Sequence, residues 1–504
     1  MSKKKKKINR RKFVSAASTS ALAFTIVPRH VLGKGYIAPS DKINVANIGC
    51  GTQGIYEMPD LLENDNIKVT AVCDVNKYTT DYKDWSNSRV KNTIRRTTGD
   101  STWGQFIKGI PGGLDIGKMF VDKYYSGAST DNAKGCKAYE DYRDLLEKET
   151  DIDVVKIMTP DHTHGCIALD AMKKGKHVIT HKPISNRLRE GMMVIEGAKK
   201  YNVKTHLLAW EDKPNYRLIK KWIDDGVIGD LKEIHNWSFR PVWPQYFGSF
   251  EEEMKIPEGF NWQLWLGPEK DRPYHLNYTH NVFRGWYDFG GGSIADMGHY
   301  SLFPLFRTLG IDQAPTSVRS YGSVYRTAIN GVCQAINNDA AFPYSSMIKF
   351  QFPEQENLPS FSFHWYDGGM KPFAPEELER DGKDIAPEGL MFVGSEGKIL
   401  AGFEGENPTI LGDRAKVYQG PQTTDVPTPE RRSNTWIRAI KNDEESPGSF
   451  IYAKTVTELV NLGAAALRAN RRINYDSTNH ALVDDTSADK YLERDYRKGW
   501  ELTL

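Results

Sequence analysis

At 504 residues, with 39% hydrophobic and 26% charged residues, the chain has the composition of a soluble globular protein. It is too long for one compact core, so two main domains with insertions are expected. A formal net charge of +2, with the visible surplus of lysine in the first twelve residues, gives no sign of a nucleic-acid partner.

Residues 1–33 read as a targeting segment rather than part of the fold. A basic stretch from Lys3 to Lys12 precedes Val14 to Val27, which is apolar but interrupted by Ser and Thr, and so too short and polar to span a membrane. Arg10-Arg11-Lys12-Phe13 resembles the twin-arginine export signal, which carries folded proteins out of the cytoplasm. The expected location is the periplasm, with the twin-arginine translocase as a partner during export. The five cysteines (Cys50, Cys73, Cys136, Cys166, Cys333) show no CxxC spacing and read as small hydrophobes, so no disulfide is expected.

From residue 41 the pattern alternates. Asp41 to Ile48 reads as a buried parallel strand leading into Gly49-Cys50-Gly51-Thr52-Gln53-Gly54, then a helix over Ile55 to Glu63 and a second strand, Val69 to Cys73, ending in Asp74. A lone GxGxxG is weak, but strand, glycine turn, helix and an acid 20 residues on form the dinucleotide-binding fingerprint. Gly49 allows the tight turn, Gly51 lets the backbone approach a pyrophosphate, and Gly54 lets helix and strand pack. The N–H groups of the helix start, at Thr52 and Gln53, face the phosphates, and Asp74 would accept from ribose hydroxyls. An acid there repels a 2′-phosphate, which favours NAD over NADP.

Residues 80 to 135 interrupt the rhythm, with several glycines and no sustained period, and read as an inserted loop region with short helices. Alternation resumes with a helix over Tyr139 to Lys148, a strand over Asp153 to Met158, the turn Thr159-Pro160-Asp161-His162-Thr163-His164, a helix over Gly165 to Lys174, a strand over His177 to Thr180, and the turn His181-Lys182-Pro183. Ligands of open parallel sheets bind at the carboxyl ends of the strands, so both turns lie at the edge where a nicotinamide would sit. A lysine there can touch a substrate; the plainer reading is a surface lysine in a loop. His162, His164 and Asp161 have no second cluster at ligand spacing, so no metal site is expected.

Beyond Leu231 the helices thin out. Strands are expected over Leu231 to Phe239, Ser317 to Val324, Ser346 to Phe352 and Phe361 to Trp365, with a helix over Ser293 to Leu309 beside an antiparallel sheet. Trp237, Trp243, Trp262, Trp265, Trp286 and Trp365 read first as core, and otherwise as sugar-stacking surfaces.

The stretches NIGCGTQG, TPDHTH and HKP, with NWQLWLGP (261–268) and RGWYDFGGGSIADMGHYSLFP (284–304), together resemble the Gfo/Idh/MocA family of glucose–fructose oxidoreductase and inositol dehydrogenase relatives. The likeness spans most of residues 41 to 470. It implies an α/β chain: an N-terminal Rossmann domain with a doubly wound parallel sheet (41–210), an α+β C-terminal domain with an open, mostly antiparallel sheet (211–475), and a tail (476–504). A homo-oligomer through the C-terminal sheet is the assembly to look for. The resemblance also implies nicotinamide chemistry on a sugar or polyol. Lys182 matches the lysine of the family's Glu-Lys-Pro motif, which contacts the reacting hydroxyl and the nicotinamide ribose; His181 replaces its glutamate. The cofactor set implied is Gly49, Gly51, Thr52, Gln53, Gly54, Asp74, Thr159, Pro160, His164, His181 and Lys182. The family's Asp-x-x-x-His helix begins at Asp296, but its fourth position is Tyr300 and the histidine is His299. Both positions lie near the face of Asp296 on a helix; an unperturbed histidine is the better base, so His299 is favoured over Tyr300.

The expected function is exported, NAD-dependent oxidation of a secondary hydroxyl of a sugar or glycoside, or the reverse. One alternative is an NAD-dependent glycosidase working by transient oxidation at the third carbon, elimination and water addition. Another is a non-catalytic sugar-binding protein.

Overall fold

The computed structural model describes residues 37, 41–128, 135–250, 252–425, 431–483 and 486–504. The proposed export signal lies outside the described residues. From Ile43 to Leu504 the chain forms one compact unit built on two sheets.

The first sheet is parallel throughout. Its strands are β1 (Ile43–Ile48), β2 (Ile67–Cys73), β3 (Lys137–Tyr139), β4 (Val154–Ile157), β5 (His177–Thr180) and β6 (Thr205–Leu207), in the order β3-β2-β1-β4-β5-β6. Val45, Ile48, Val154, Val155 and Ile157 are almost wholly buried, as expected for strands covered by helices on both faces. The order reverses between β1 and β4, which brings the turns after these two strands together at the crevice where such sheets take ligands. Two details differ from the sequence reading. Residues 137–139 form edge strand β3 ahead of the helix Tyr142–Lys148. The 80–135 region carries full helices, Arg89–Thr98 and Leu114–Ala128, whose apolar side chains Val90, Ile94, Ile116 and Phe120 pack into the same core as β1 and β2. Polar residues around these anchors obscured the helical period.

The second sheet has nine strands: β7 (Leu231–Trp237), β8 (Ser317–Gly322), β11 (Ser346–Phe352), β12 (Phe361–Tyr366), β13 (Gly389–Gly394), β14 (Lys398–Ala401), β15 (Thr409–Ile410), β16 (Ile473–Asp476) and β17 (Ala481–Val483). Between β8 and β11 lies the hairpin β9 (Arg326–Ile329) and β10 (Val332–Ala335). The order is β15-β14-β13-β7-β12-β11-β8-β16-β17, antiparallel except where β7 meets β12. Alternate residues of these strands (Ile234, Phe350, Phe363, Trp365, Phe392) face the core shared with the helices His299–Leu309 and Lys454–Ala469. All six tryptophans singled out above are buried, so the core reading holds for them; Trp243 and Trp265 also reach the cavity described below.

The segment 476–504, read from sequence as a tail, is built into the fold. It supplies β17, and Arg494 is buried between Glu190 of the helix Leu188–Lys200 and Glu269, donating to Glu269 at 2.6 Å. Removing one partner of such a buried set costs about 3–5 kcal/mol. Arg494 therefore fixes the chain end against the first sheet. Among the described residues no helix is long and apolar enough to cross a membrane. Four cysteines are buried and Cys333 is exposed; all five are free.

Candidate active site

One cavity runs along the carboxyl edge of the first sheet. It is lined at one end by Gly49, Gly51, Thr52, Gln53, Gly54 and Asp74, then by Thr159 and Pro160, and at the other end by His181, Lys182, Asp296 and Tyr300. Twelve of the residues singled out from sequence thus share one space.

The dinucleotide end is shaped by backbone. Gly49 has φ +100°, and a Cβ there would lie 2.5 Å from the carbonyl of Met158; a Cβ on Gly54 would lie 2.2 Å from the Gly49 oxygen. Only glycine fits either place. The helix Thr52–Leu62 starts at Gly51 with no side-chain cap, so its first N–H groups are left for an anion. Asp74 accepts from the N–H of Cys50 at 2.7 Å and of Asn76 at 2.8 Å, which fastens β2 to the glycine turn. Burial nevertheless pushes its carboxyl up to about 6. The residues present therefore fit a dinucleotide: a turn that excludes Cβ atoms, open N–H groups, and an acid at the ribose position.

The inserted region completes this wall. Tyr82, Asp84, Trp85 and Arg89 line the cavity, and Arg89 donates to Gln53 at 3.0 Å and to Asp84 at 2.9 Å. Its spacing carried no such signal, because the contact depends on how the insertion folds back over the turn.

The other end is shaped by charge. Lys182 Nζ donates to Asp296 Oδ1 at 2.6 Å, and Arg284 Nε donates to the same oxygen at 2.9 Å. Arg240 Nε stands 3.7 Å from Asp296 Oδ2, its guanidinium 4.7 Å from the ring centres of both Trp85 and Phe239. Burial acts against ionisation of Asp296, but Lys182, Arg284 and Arg240 outweigh it and hold the carboxyl far below its usual range. Lys182 is almost fully buried, and desolvation pulls its ammonium down against the opposing pull of Asp296. Arg284 belongs to the RGWYDFGGG stretch and Arg240 to the loop after β7; sequence reading named neither as functional.

The winding of the helix start decides between His299 and Tyr300. Ile294–Gly298 is a π turn, and the α-helix follows only from His299. An i→i+5 turn takes more residues per circle than an α-turn, so the fourth residue after Asp296 returns to its side and the third falls short. Tyr300 accordingly lines the cavity, with Lys182 Nζ 4.8 Å from its ring centre. His299 points into the core: it is fully buried, its Nδ1 meets the Ala295 carbonyl at 2.9 Å, and burial pulls it down to about 3. The preference for His299 as base is corrected in favour of groups that reach the cavity.

His181 Nε2 lies 3.0 Å from the Tyr300 hydroxyl. Burial, with Lys182 and Arg284 nearby, keeps His181 neutral. Burial and the carboxylates of Glu57 and Asp296 push the Tyr300 phenol up. Tyr300 therefore donates to His181. Glu57 Oε1 stands 3.8 Å from His181 Nε2 but does not line the cavity.

His164 does not line the cavity. Its ring nitrogens meet the carbonyls of Pro183 at 2.6 Å and Thr159 at 2.8 Å, so it braces the turns after β4 and β5 rather than touching a ligand. Asp161 and His162 are likewise structural: Asp161 accepts the N–H of Gly291 at 3.1 Å, and His162 Nε2 meets the carbonyl of Trp265 at 2.8 Å.

Residues 121–208 match the family described as oxidoreductase family, NAD-binding Rossmann fold, and residues 214–337 and 376–502 match its C-terminal alpha/beta domain. The chain is 33% identical over 111 residues to levoglucosan dehydrogenase of Pseudarthrobacter phenanthrenivorans, covering 21% of this chain and 28% of that protein. It is 23% identical over 244 residues to a glycosyl hydrolase family 109 protein of Shewanella baltica, covering 44% of each. The matches thus span less than half the length of these relatives. Among solved structures, the WlbA dehydrogenase from Chromobacterium violaceum, in complex with NADH and UDP-GlcNAcA, superposes with a TM-score of 0.51 at 14% identity, over 87% of this chain and 98% of that one. That likeness is one of fold.

Proposed function

We propose, for a chain that belongs to the Gfo/Idh/MocA oxidoreductase family, NAD-dependent oxidation of a secondary hydroxyl of a sugar or glycoside, or the reverse reduction. The observation that carries this reading is the buried Lys182–Asp296 pair at one end of the cavity whose other end is the glycine turn and Asp74. Bound NAD supplies the hydride acceptor. Lys182 Nζ holds the substrate hydroxyl and takes its proton, a role helped by burial, which disfavours its ammonium form. Asp296 stays ionised and compensates the ammonium that forms. Arg284 and Arg240 keep Asp296 in place, and the Tyr300–His181 pair beside Lys182 orients the sugar. Water is excluded by the aromatic wall of Trp243, Phe283 and Trp265.

The NAD-dependent glycosidase is the second reading, and Tyr300–His181 favours it: oxidation, elimination and water addition need more than one proton-handling group beside the sugar. Incubating the purified, cofactor-loaded protein with a glycoside panel separates the readings. A keto-sugar with its glycosidic bond intact supports the first, a free sugar with no net redox change the second. Cofactor retention with no turnover leaves a sugar-binding protein.

The basic opening and Arg10-Arg11 support export by the twin-arginine route to the periplasm, with the fold closed around its dinucleotide before transit. On that reading the protein purifies with nicotinamide dinucleotide bound, retains it on dialysis, and turns over without added NAD because the bound cofactor is re-oxidised in place, by a second sugar substrate that takes the hydride or within one redox-neutral cycle. An apo preparation that works only with a large excess of NAD counts against it.

A further inference from the structure

On the face of the nine-stranded sheet opposite the helices His299–Leu309 and Lys454–Ala469, three side chains with lone pairs converge. Glu233 and His235 are two apart on β7 and so share a face; His364 on β12 is the register partner of His235. Their ligand atoms lie within 4.8 Å of one another. The two imidazoles stack with ring centres 4.6 Å apart and planes 19° from parallel. His235 Nε2 faces Glu233 Oε2 at 2.8 Å, while its Nδ1 meets the Tyr366 hydroxyl at 3.0 Å. Ser362 Oγ lies 2.9 Å from His364 Nε2.

We propose that Glu233, His235 and His364 form a zinc-binding site separate from the nucleotide cavity. Two imidazoles and a carboxylate are a donor set zinc takes, with a fourth position left for water. Tetrahedral zinc with bonds near 2.0–2.1 Å needs ligand atoms about 3.3 Å apart, so small side-chain rotations close the trio. His235 is held at both nitrogens, by the Tyr366 hydroxyl at Nδ1 and by Glu233 Oε2 at Nε2; with Nδ1–H donating to Tyr366, zinc takes the place of the proton between Nε2 and Glu233, which is released on binding. Tyr366 thus holds the second nitrogen of His235, and Ser362 meets His364 at Nε2, leaving its Nδ1 open. Glu233 and His364 are half-buried, which gives solvent a way in. Lys349, the register partner of His364 on β11, is exposed. The site lies across the sheet from the chemistry, because the π turn packs against the opposite face of β12, where a Cβ on Gly298 would lie 3.7 Å from Trp365.

The test uses the full chain without an affinity tag, stripped with chelator, dialysed and titrated with Zn²⁺ by calorimetry, with metal content measured after equilibrium dialysis. One equivalent is expected at micromolar zinc. Glu233→Gln and His364→Gln, both at partly exposed positions, should each lower the affinity more than about 100-fold while leaving NAD binding and turnover unchanged. Co²⁺ is a second probe: the wild-type chain should develop the visible absorption of low-coordinate cobalt, and both variants should lose it. Failure of the wild-type chain to bind one equivalent, or full-affinity binding in both variants, overturns the proposal. If either variant misfolds, absence of the cobalt absorption in the wild-type chain overturns it as well.

Discussion

Where the glycine turn lines the cavity, backbone shapes the site; where Lys182 and Asp296 line it, charged side chains do. Gly49 and Gly54 act by lacking a Cβ, and the helix start at Gly51 acts through uncapped N–H groups. Lys182, Arg240 and the pair Arg284 and Asp296 come from three separate stretches and meet through charge. A backbone cradle is local, so a few adjacent residues both encode and build it. A charge cluster is assembled by tertiary structure, and each member is set by the winding and packing of its own element.

The largest effect that sharpens this contrast is at Lys182. Lys182→Ala should lower kcat by about two to four orders of magnitude, as expected for loss of an acid–base group. Dinucleotide binding, followed by fluorescence titration, should change little, because the glycine turn and Asp74 are left untouched. Equal loss of binding and turnover would mean that the two ends work as one.

Next comes the pair on the π turn. Tyr300→Phe should reduce kcat by about 10–100-fold by removing the hydroxyl that reaches His181 and the cavity. His299→Ala should leave kcat within about threefold while lowering stability by about 1–3 kcal/mol, since it empties a buried site and exposes no cavity group. Thermal denaturation beside steady-state rates separates the outcomes. A crippled His299→Ala enzyme of normal stability would return the base to His299.

These contrasts follow what the sequence could carry. The parallel sheet, the glycine turn and Asp74 were legible because spacing along a strand and into a helix start determines them. His299 was misjudged because an α-helical spacing was assumed where Ile294–Gly298 is wound as a π turn, and the residues there give no sign of that winding. His164 was misplaced for a related reason: it sits on the correct turn, but its ring faces the carbonyls of Thr159 and Pro183 rather than the cavity. Arg240 and the inserted Trp85 were missed because their meeting joins residues 155 positions apart. The Glu233–His235–His364 cluster was missed for want of register, which pairs β7 with β12 across more than a hundred residues.

The smallest effect concerns Asp74, the one group at the backbone end whose charge matters. With its carboxyl raised to about 6, above the unfolded value of 3.8, its contribution to the stability of the free protein is present below pH 3.8 and is lost as pH rises through about 6. Dinucleotide binding should run the other way, because only the ionised acid accepts from both ribose hydroxyls. At pH 5 about one tenth of the free protein carries the carboxylate, so NAD affinity should be about tenfold weaker than at pH 7.5 and should level off above pH 7. Asp74→Asn should flatten this profile, weaken NAD at neutral pH and narrow its advantage over NADP, since the charge that repels a 2′-phosphate is gone. A profile just as steep in Asp74→Asn would place the titrating group elsewhere.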